Sequence, residues 1–377
     1  MAGDAEHKPV TPCLLLDVER MTRNIQVLEA RLDRLGAPLR PHVKTCKNIE
    51  IARRMMGPAS PGIAVSTLAE AEYFFDHGIA DQIYAVGIAP GKLERVARLV
   101  ARGAELKILL DNPAAAAEVV KAAAEHDCRY RVLLEIDSDR HRAGFRPCDA
   151  GLLETARMLS GAGCDVAGVL THMGASYDCR TRQCLIDAAE RERTSAVRAA
   201  ERLRAAGLEC SIVSVGSTPT AYHARRLDGV TEVRAGTHVF MDLVMAGLGV
   251  CRLEDIAISV LAEIIGFREG AGELVVDAGW MALSRDRGTA SQPVDQGYGA
   301  VCDPAGRPLK PELIVRSTNQ EHGLVARRDG RKIDPDAFEI GQRVRILPNH
   351  SCATAAQHAG YWLLDAAGVP ARWWPRI

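Results

Sequence analysis

The sequence predicts an α/β fold in two parts: a (β/α)8 barrel followed by a mainly antiparallel β domain. Three observations carry this. Between about residues 37 and 241, eight short apolar runs alternate with longer amphipathic stretches, the count expected of a barrel with a helix after each strand. No GxGxxG follows the first run, and the rival open, doubly wound sheet usually needs that pattern. Past about residue 255 the runs are separated by Gly, Pro and Asp, mostly with no long helical stretch between them, as in antiparallel sheet.

The barrel runs, in order, are LRPHVK (39–44), GIAVST (62–67), IYAVG (83–87), LKILLD (106–111), RVLLEID (131–137), DVAGVLTHMG (165–174), SIVSVGS (211–217) and VRAGTHVFM (233–241). Segments between them, such as KLERVARLVARG and AERERTSAVRAAERLRAAG, repeat apolar residues at i, i+3, i+4, the spacing of one helix face. Gly78, Gly103 and Gly207 close such segments, where a helix C-cap favours positive φ. The later runs AISVLAEIIGF, GELVVDAG, ELIVRS, QRVRILP and ARWWPRI read as strands. The early run CLLLD (13–17) is surplus to the barrel. The expected division is therefore a barrel over 18–250 and a β domain over 251–377, with residues 10–17 added to it as a strand.

Composition narrows the function. A formal net charge of −1 gives no electrostatic reason to expect nucleic acid or an anionic membrane as partner. The first ten residues, MAGDAEHKPV, lack the apolar core of a signal peptide, and no apolar stretch approaches the roughly 20 residues that span a bilayer. A cytoplasmic protein acting on a small molecule is expected. The 11 cysteines include no CxxC pair. Cys13, Cys164 and Cys251 fall in apolar runs, where a thiol packs as a small hydrophobe, so a disulfide framework is not expected.

Active residues of a barrel lie at the C-terminal ends of its strands. There the sequence places Lys44 at the end of the first strand, Arg142 in the turn DSDRHRAG after the fifth, and His172 and Tyr177 in THMGASY closing the sixth. Gly216, Ser217 and Thr218 follow the seventh run, and Gly236 and Thr237 fall in the eighth. Each has an ordinary reading: a surface lysine, a core histidine, a turn with a Ser or Thr helix cap. Together they place an amine opposite a loop whose backbone N–H groups and hydroxyls suit a phosphate, the two things pyridoxal phosphate needs. Further on, His350 and Cys352 in PNHSC stand two apart. On an extended segment they share a side and could ligate one metal ion, though H-x-C alone is more often structural.

The blocks TPCLLLD, RPHVKTCK, VSTLAEAEYF, EIDSDRHRAG, THMGASY, VSVGSTPT, VRAGTHVFMD, VDAGWMALSRDRG, NQEHG and PNHSCAT together resemble the D-serine dehydratase/D-threonine aldolase family. That family belongs to the fold-type III pyridoxal-phosphate enzymes, whose barrel is that of alanine racemase. The resemblance runs nearly end to end. It implies that Lys44 is the Schiff-base lysine, and that Arg142, His172, Tyr177, Gly216, Ser217, Thr218, Gly236 and Thr237 hold the cofactor. It implies that His350 and Cys352 bind a divalent metal, zinc foremost, with manganese or magnesium as alternatives, and that the protein is a homodimer. Aldolase members commonly carry aspartate where this chain has Cys352, so the resemblance sides with the dehydratases. Cys46 stands where many relatives have histidine.

The implied activity is a lyase dehydrating D-3-hydroxy amino acids of the 3-hydroxyaspartate or D-serine type to a keto acid and ammonia. The alternative is an aldolase releasing glycine and an aldehyde from D-threonine or D-3-hydroxyaspartate. A racemase would need a second base, a tyrosine in alanine racemase; Tyr298 is the obvious candidate, but its block GYGAVCD does not resemble the racemase one. Basic residues such as Arg285, Arg287 and His322 could receive a second substrate carboxylate.

Overall fold

The structure, a computed structural model, describes residues 9–377. It opens with β1 (Cys13–Leu16) and α1 (Val18–Leu35). The chain divides into two compact units: Gln26–Gly236, and Thr237–Ile377 together with the residues up to Ile25.

The first unit carries eight parallel strands: β2 (Leu39–Pro41), β3 (Ile63–Val65), β4 (Asp81–Gly87), β5 (Glu105–Leu110), β6 (Arg131–Ile136), β7 (Asp165–Thr171), β8 (Ile212–Val215) and β9 (Glu232–Ala235). Their order is β2-β9-β8-β7-β6-β5-β4-β3, and a parallel bridge between His42 and Ala64 closes the ring. The predicted barrel is there. Its helices are α2 (Ile49–Met55), α3 (Leu68–Asp76), α4 (Leu93–Ala101), α5 (Pro113–His126), α6 (Ala150–Gly161), α7 (Arg182–Ala205) and α8 (Thr218–His223). Local chemistry sets their ends. Thr67 Oγ1 accepts the Glu70 N–H at 3.1 Å and Asn112 Oδ1 the Ala115 N–H at 2.8 Å, caps of about 1 kcal/mol each. Gly78, Gly103 and Gly207 all take positive φ just past a helix end, as their spacing predicts.

Alternation along the strands puts charged and apolar residues on the same face. Ile83, Leu109 and Leu133 pack with Ala64, Ala167 and Leu170. Two residues earlier, Asp81 and Lys107 pair at 2.7 Å. Arg40, only 1% exposed, reaches Asp81 at 2.6 Å and Glu232 at 2.8 Å. Glu232 also accepts the Ser214 hydroxyl, and Ser214 Oγ the Arg234 guanidinium. The buried charges are satisfied by one another, which is the condition for burying them.

The second unit adds β10 (Ile258–Arg268), β11 (Glu273–Val276), β12 (Gly299–Cys302), β13 (Pro308–Thr318), β14 (Gly323–Arg327), β15 (Arg343–Pro348), β16 (Gly360–Leu364) and β17 (Pro370–Pro375). The helices here are short: α9 (Leu243–Gly247), α10 (Trp280–Leu283) and α11 (Ser351–Ala355). The sheet order is β11-β14-β13-β12-β15-β10-β1-β16-β17, and a β10–β11 pairing closes six of these strands on themselves. β1 lies in this sheet, antiparallel to β10 and parallel to β16. Val260, Ile264, Val276, Val315, Val325 and Ile346 are all but fully buried in it.

Four expectations need correction. His350 and Cys352 do not share an extended segment: His350 is the N-cap of α11 and Cys352 lies in its first turn. Lys44 does not end a strand: β2 stops at Pro41, and Lys44 lies in a turn closed by the Lys47 N–H donating to Val43 O. The eighth run is strand only over β9, because the Phe240 and Met241 N–H groups turn back onto Thr237 O. Cys179 and Cys184 are joined in a disulfide, where reduced thiols were expected. Among the described residues no helix is long and apolar enough to cross a membrane.

Candidate active site

In the barrel unit the predicted residues sit in the loops that follow the strands. Lys44 is exposed in the turn after β2, and its neighbour Lys47 pairs with Glu70 at 3.1 Å. Past β7, His172 Nδ1 meets the Gly216 carbonyl at 2.9 Å. That contact makes Nδ1 the donor and leaves Nε2 as an acceptor. Burial, helped by the positive charges of Arg142, Arg234 and Lys44, lowers the His172 pKa to about 3. Burial and the charges of Lys44 and Arg234 likewise keep His42 neutral. The cations that add to this effect of burial make this end of the barrel electropositive, which suits a phosphate or a carboxylate.

The loop after β8 is built tightly. Gly216 has φ +139°, and a Cβ there would stand 2.1 Å from Arg234 O, so only glycine fits. Ser217 caps α8: its Oγ accepts the Thr220 N–H at 3.3 Å and lies 3.1 Å from Ser176 Oγ. The ordinary reading of Gly-Ser-Thr as a turn with a cap is therefore correct in itself, and leaves the hydroxyl of Ser217 engaged. Thr218 is buried at the start of α8, and Tyr177 is half-buried in the single turn Gly174–Asp178. A Cβ on Gly236 would come within 2.8 Å of His42 O. Arg142 is exposed.

In the second unit, His350 Nδ1 bonds to Asp286 Oδ2 at 2.9 Å, and Cys352 is a further hydrogen-bond partner of the same imidazole. Thr237 Oγ1 lies 3.8 Å from Cys352 Sγ. Burial opposes a charged imidazole, but Asp286 and Cys352 carry the His350 pKa up to about 11. The segment is held from several sides. Asn349 donates to Asp286 O and Gly297 O, and accepts from Thr289. Fully buried Asp242 accepts the Ser351 and Met245 N–H groups at 2.9 Å each. Among the described residues no group of three or more His, Cys, Asp or Glu is arranged to hold a metal ion.

Sequence reasoning did not single out Asp286, Asp242 or the buried Glu192. Asp286 lies in SRDRG between two arginines, where a carboxylate reads as part of a solvated turn. The Asx turn made by Asp286 Oδ1 with the Gly288 N–H is the one signal its sequence carried.

Residues 16–244 match the family model for the alanine racemase N-terminal domain, and residues 257–364 match that for the serine dehydratase domain. The chain is 50% identical to D-threo-3-hydroxyaspartate dehydratase of Delftia sp. (strain HT23) over 96% of each chain. It is 31% identical to D-serine dehydratase of Dictyostelium discoideum, over 94% of this chain and 93% of the other. This chain belongs to the D-serine dehydratase family. The solved structure of the Delftia dehydratase superposes on this family member with a TM-score of 0.95 at 49% identity, covering 98% of both chains. D-threonine aldolase of Arthrobacter sp. is 28% identical over 95% of this chain and 90% of the other. Alanine racemase of Clostridium difficile, at 15% identity and a TM-score of 0.67, shares the fold.

The residues of this family member fit the cofactor and metal that such a family implies. Lys44 offers an amine, the neutral imidazoles offer uncharged ring partners, and the electropositive loops suit a phosphate ester. With Asp286 on Nδ1, His350 has only Nε2 left for a metal, the carboxylate–histidine arrangement common at metal centres. Cys352 adds a soft donor beside it.

Proposed function

We propose that this chain is a lyase dependent on pyridoxal phosphate and a divalent metal, removing water from D-3-hydroxy amino acids to give a keto acid and ammonia. The observation that carries the reading is the Asp286–His350–Cys352 constellation, which has the donors of an open two-ligand metal site and no evident use in an enzyme that only moves an α-proton. Lys44 Nζ would hold the cofactor, and its amine would be the base for the α-proton. His172 donates through Nδ1 and stays neutral, so it adds no charge that would compete with Lys44 for a proton. Bound there, pyridoxal phosphate supplies a sink for the electron pair left at Cα. Hydroxide is a poor leaving group, and His350 and Cys352 would hold a metal that would supply the Lewis acid for the β-hydroxyl. A thiolate donor favours zinc over manganese or magnesium.

Of the three cations considered for a second carboxylate, Arg287 is already paired with Asp295 at 2.7 Å, while His322 and Arg285 are both exposed. Arg285 stacks 4.2 Å over the Trp280 ring and has no acidic partner among the described residues. That supports 3-hydroxyaspartate over D-serine as the preferred substrate. A cytoplasmic homodimer belongs to the same reading.

Chelation tests the metal. Exhaustive removal should abolish turnover while leaving the absorbance of the bound cofactor in place, and added zinc should restore it. Cys352→Ala should lose most activity in the same way. Full turnover by protein that elemental analysis finds metal-free would make His350 and Cys352 structural.

A further inference from the structure

Glu192 is a carboxylate 2% exposed on α7, a helix whose other acids mostly face solvent. Burying a carboxylate costs several kcal/mol unless hydrogen-bond donors replace the lost water. Here the donors come from two different loops. The Met173 N–H, from the turn after β7, reaches Glu192 Oε1 at 2.8 Å. The Gly216 N–H, from the turn after β8, reaches the same oxygen at 3.1 Å. The Thr220 side chain adds a third hydrogen bond. Burial pushes the carboxyl up to about 7, while these donors and the Arg234 charge hold it down.

We infer that Glu192 is a positioning residue that ties the loops after β7 and β8 into one cofactor-holding surface. Gly216 is held on both sides of its Cα: the N–H of the peptide before it by Glu192, and the carbonyl of the peptide after it by His172 Nδ1 at 2.9 Å. Glu192 therefore anchors the peptide that enters Gly216, while the peptide that leaves it carries the carbonyl that sets the tautomer of His172. Gly216 has no side chain to hold it in place, and at φ +139° its backbone is the freest point of that loop. The Ser176–Ser217 contact at 3.1 Å joins the same two loops, so one carboxylate and one hydroxyl pair set the spacing between Tyr177 and Thr218. A leucine at 192 would serve packing equally well; only an acceptor serves both N–H groups.

The inference rests on the reading that these loops hold pyridoxal phosphate. It is tested on the full-length chain stripped of cofactor and titrated with pyridoxal phosphate, with the adduct at Lys44 fixed by borohydride. Glu192→Ala should weaken cofactor binding at least tenfold. Glu192→Gln keeps an acceptor oxygen in place and should bind within threefold of wild type. Glu192→Asp, one methylene short, should behave like alanine. If the alanine variant does not fold, the Gln and Asp pair decides. Leu203→Ala, fully buried on the same helix, should melt lower with unchanged cofactor affinity. An aspartate variant that binds like wild type would overturn the inference. So would a glutamine variant as weak as alanine, or a Leu203→Ala variant with the same loss of affinity. Wild-type protein that takes up no borohydride-fixed cofactor would overturn the cofactor reading itself, a separate result.

Discussion

Asp286 and Arg285 are chain neighbours with different tasks. The first fixes His350 through Nδ1; the second lies on the face of Trp280 with its charge uncommitted. Between them and α10, Ser284 holds φ +72° with ψ 170°, a conformation that costs a side-chain-bearing residue about 1–3 kcal/mol and persists where the surroundings demand it. If Arg285 receives the second carboxylate of 3-hydroxyaspartate, Arg285→Ala should lower kcat/KM for that substrate tenfold or more, leaving D-serine turnover nearly unchanged, because a site built for a polar group is penalised most when the pair is broken. Equal losses on both substrates, measured in parallel, would remove Arg285 from substrate selection. At this scale the sequence singled out Lys44, His350 and Cys352 as candidates by their residue types. It hid Asp286 and Glu192, because a carboxylate among arginines, or on a helix as charged as AERERTSAV, looks solvated. Only tertiary packing shows which charge is buried.

Loop ends matter more than strand centres at the scale of elements. The strand runs were legible by apolar content, but their ends were not. Lys44 and Thr237 belong to turns closed by backbone hydrogen bonds, and an apolar count cannot distinguish a turn from the last residues of a strand. The charges within strands were also opaque. Arg40, Lys107, Glu232 and Arg234 alternate with aliphatics, the pattern of a strand with one face in water, yet they point at one another and are buried. Gly216 is the clearest element-level test. Alanine there should force β8 and β9 apart, since its Cβ would meet Arg234 O at 2.1 Å. We expect a loss on the order of 2–3 kcal/mol, read as a melting point lower by several degrees, together with weaker cofactor binding. An alanine variant with wild-type melting and cofactor affinity would show that the loop relaxes freely.

For the whole molecule, the order of strands and helices was readable because each unit has its own period, 3.6 alternating with short apolar runs in the barrel and strand after strand beyond it. The placement of β1 followed from counting: the barrel needs eight strands and the sequence offers nine before residue 255. The Cys179–Cys184 disulfide was not readable, since a spacing of five residues carries no motif and its partners meet only where the turn after β7 enters α7. The central claim, that this arrangement expels a β-hydroxyl and does not cleave the Cα–Cβ bond, concerns products. The purified, metal-loaded protein should therefore be given D-threo-3-hydroxyaspartate, D-serine and D-threonine in separate reactions, with ammonia, keto acid, glycine and aldehyde all quantified. Stoichiometric ammonia and keto acid, with little glycine, is the predicted result; glycine and an aldehyde as the dominant products would contradict it and make the chain an aldolase.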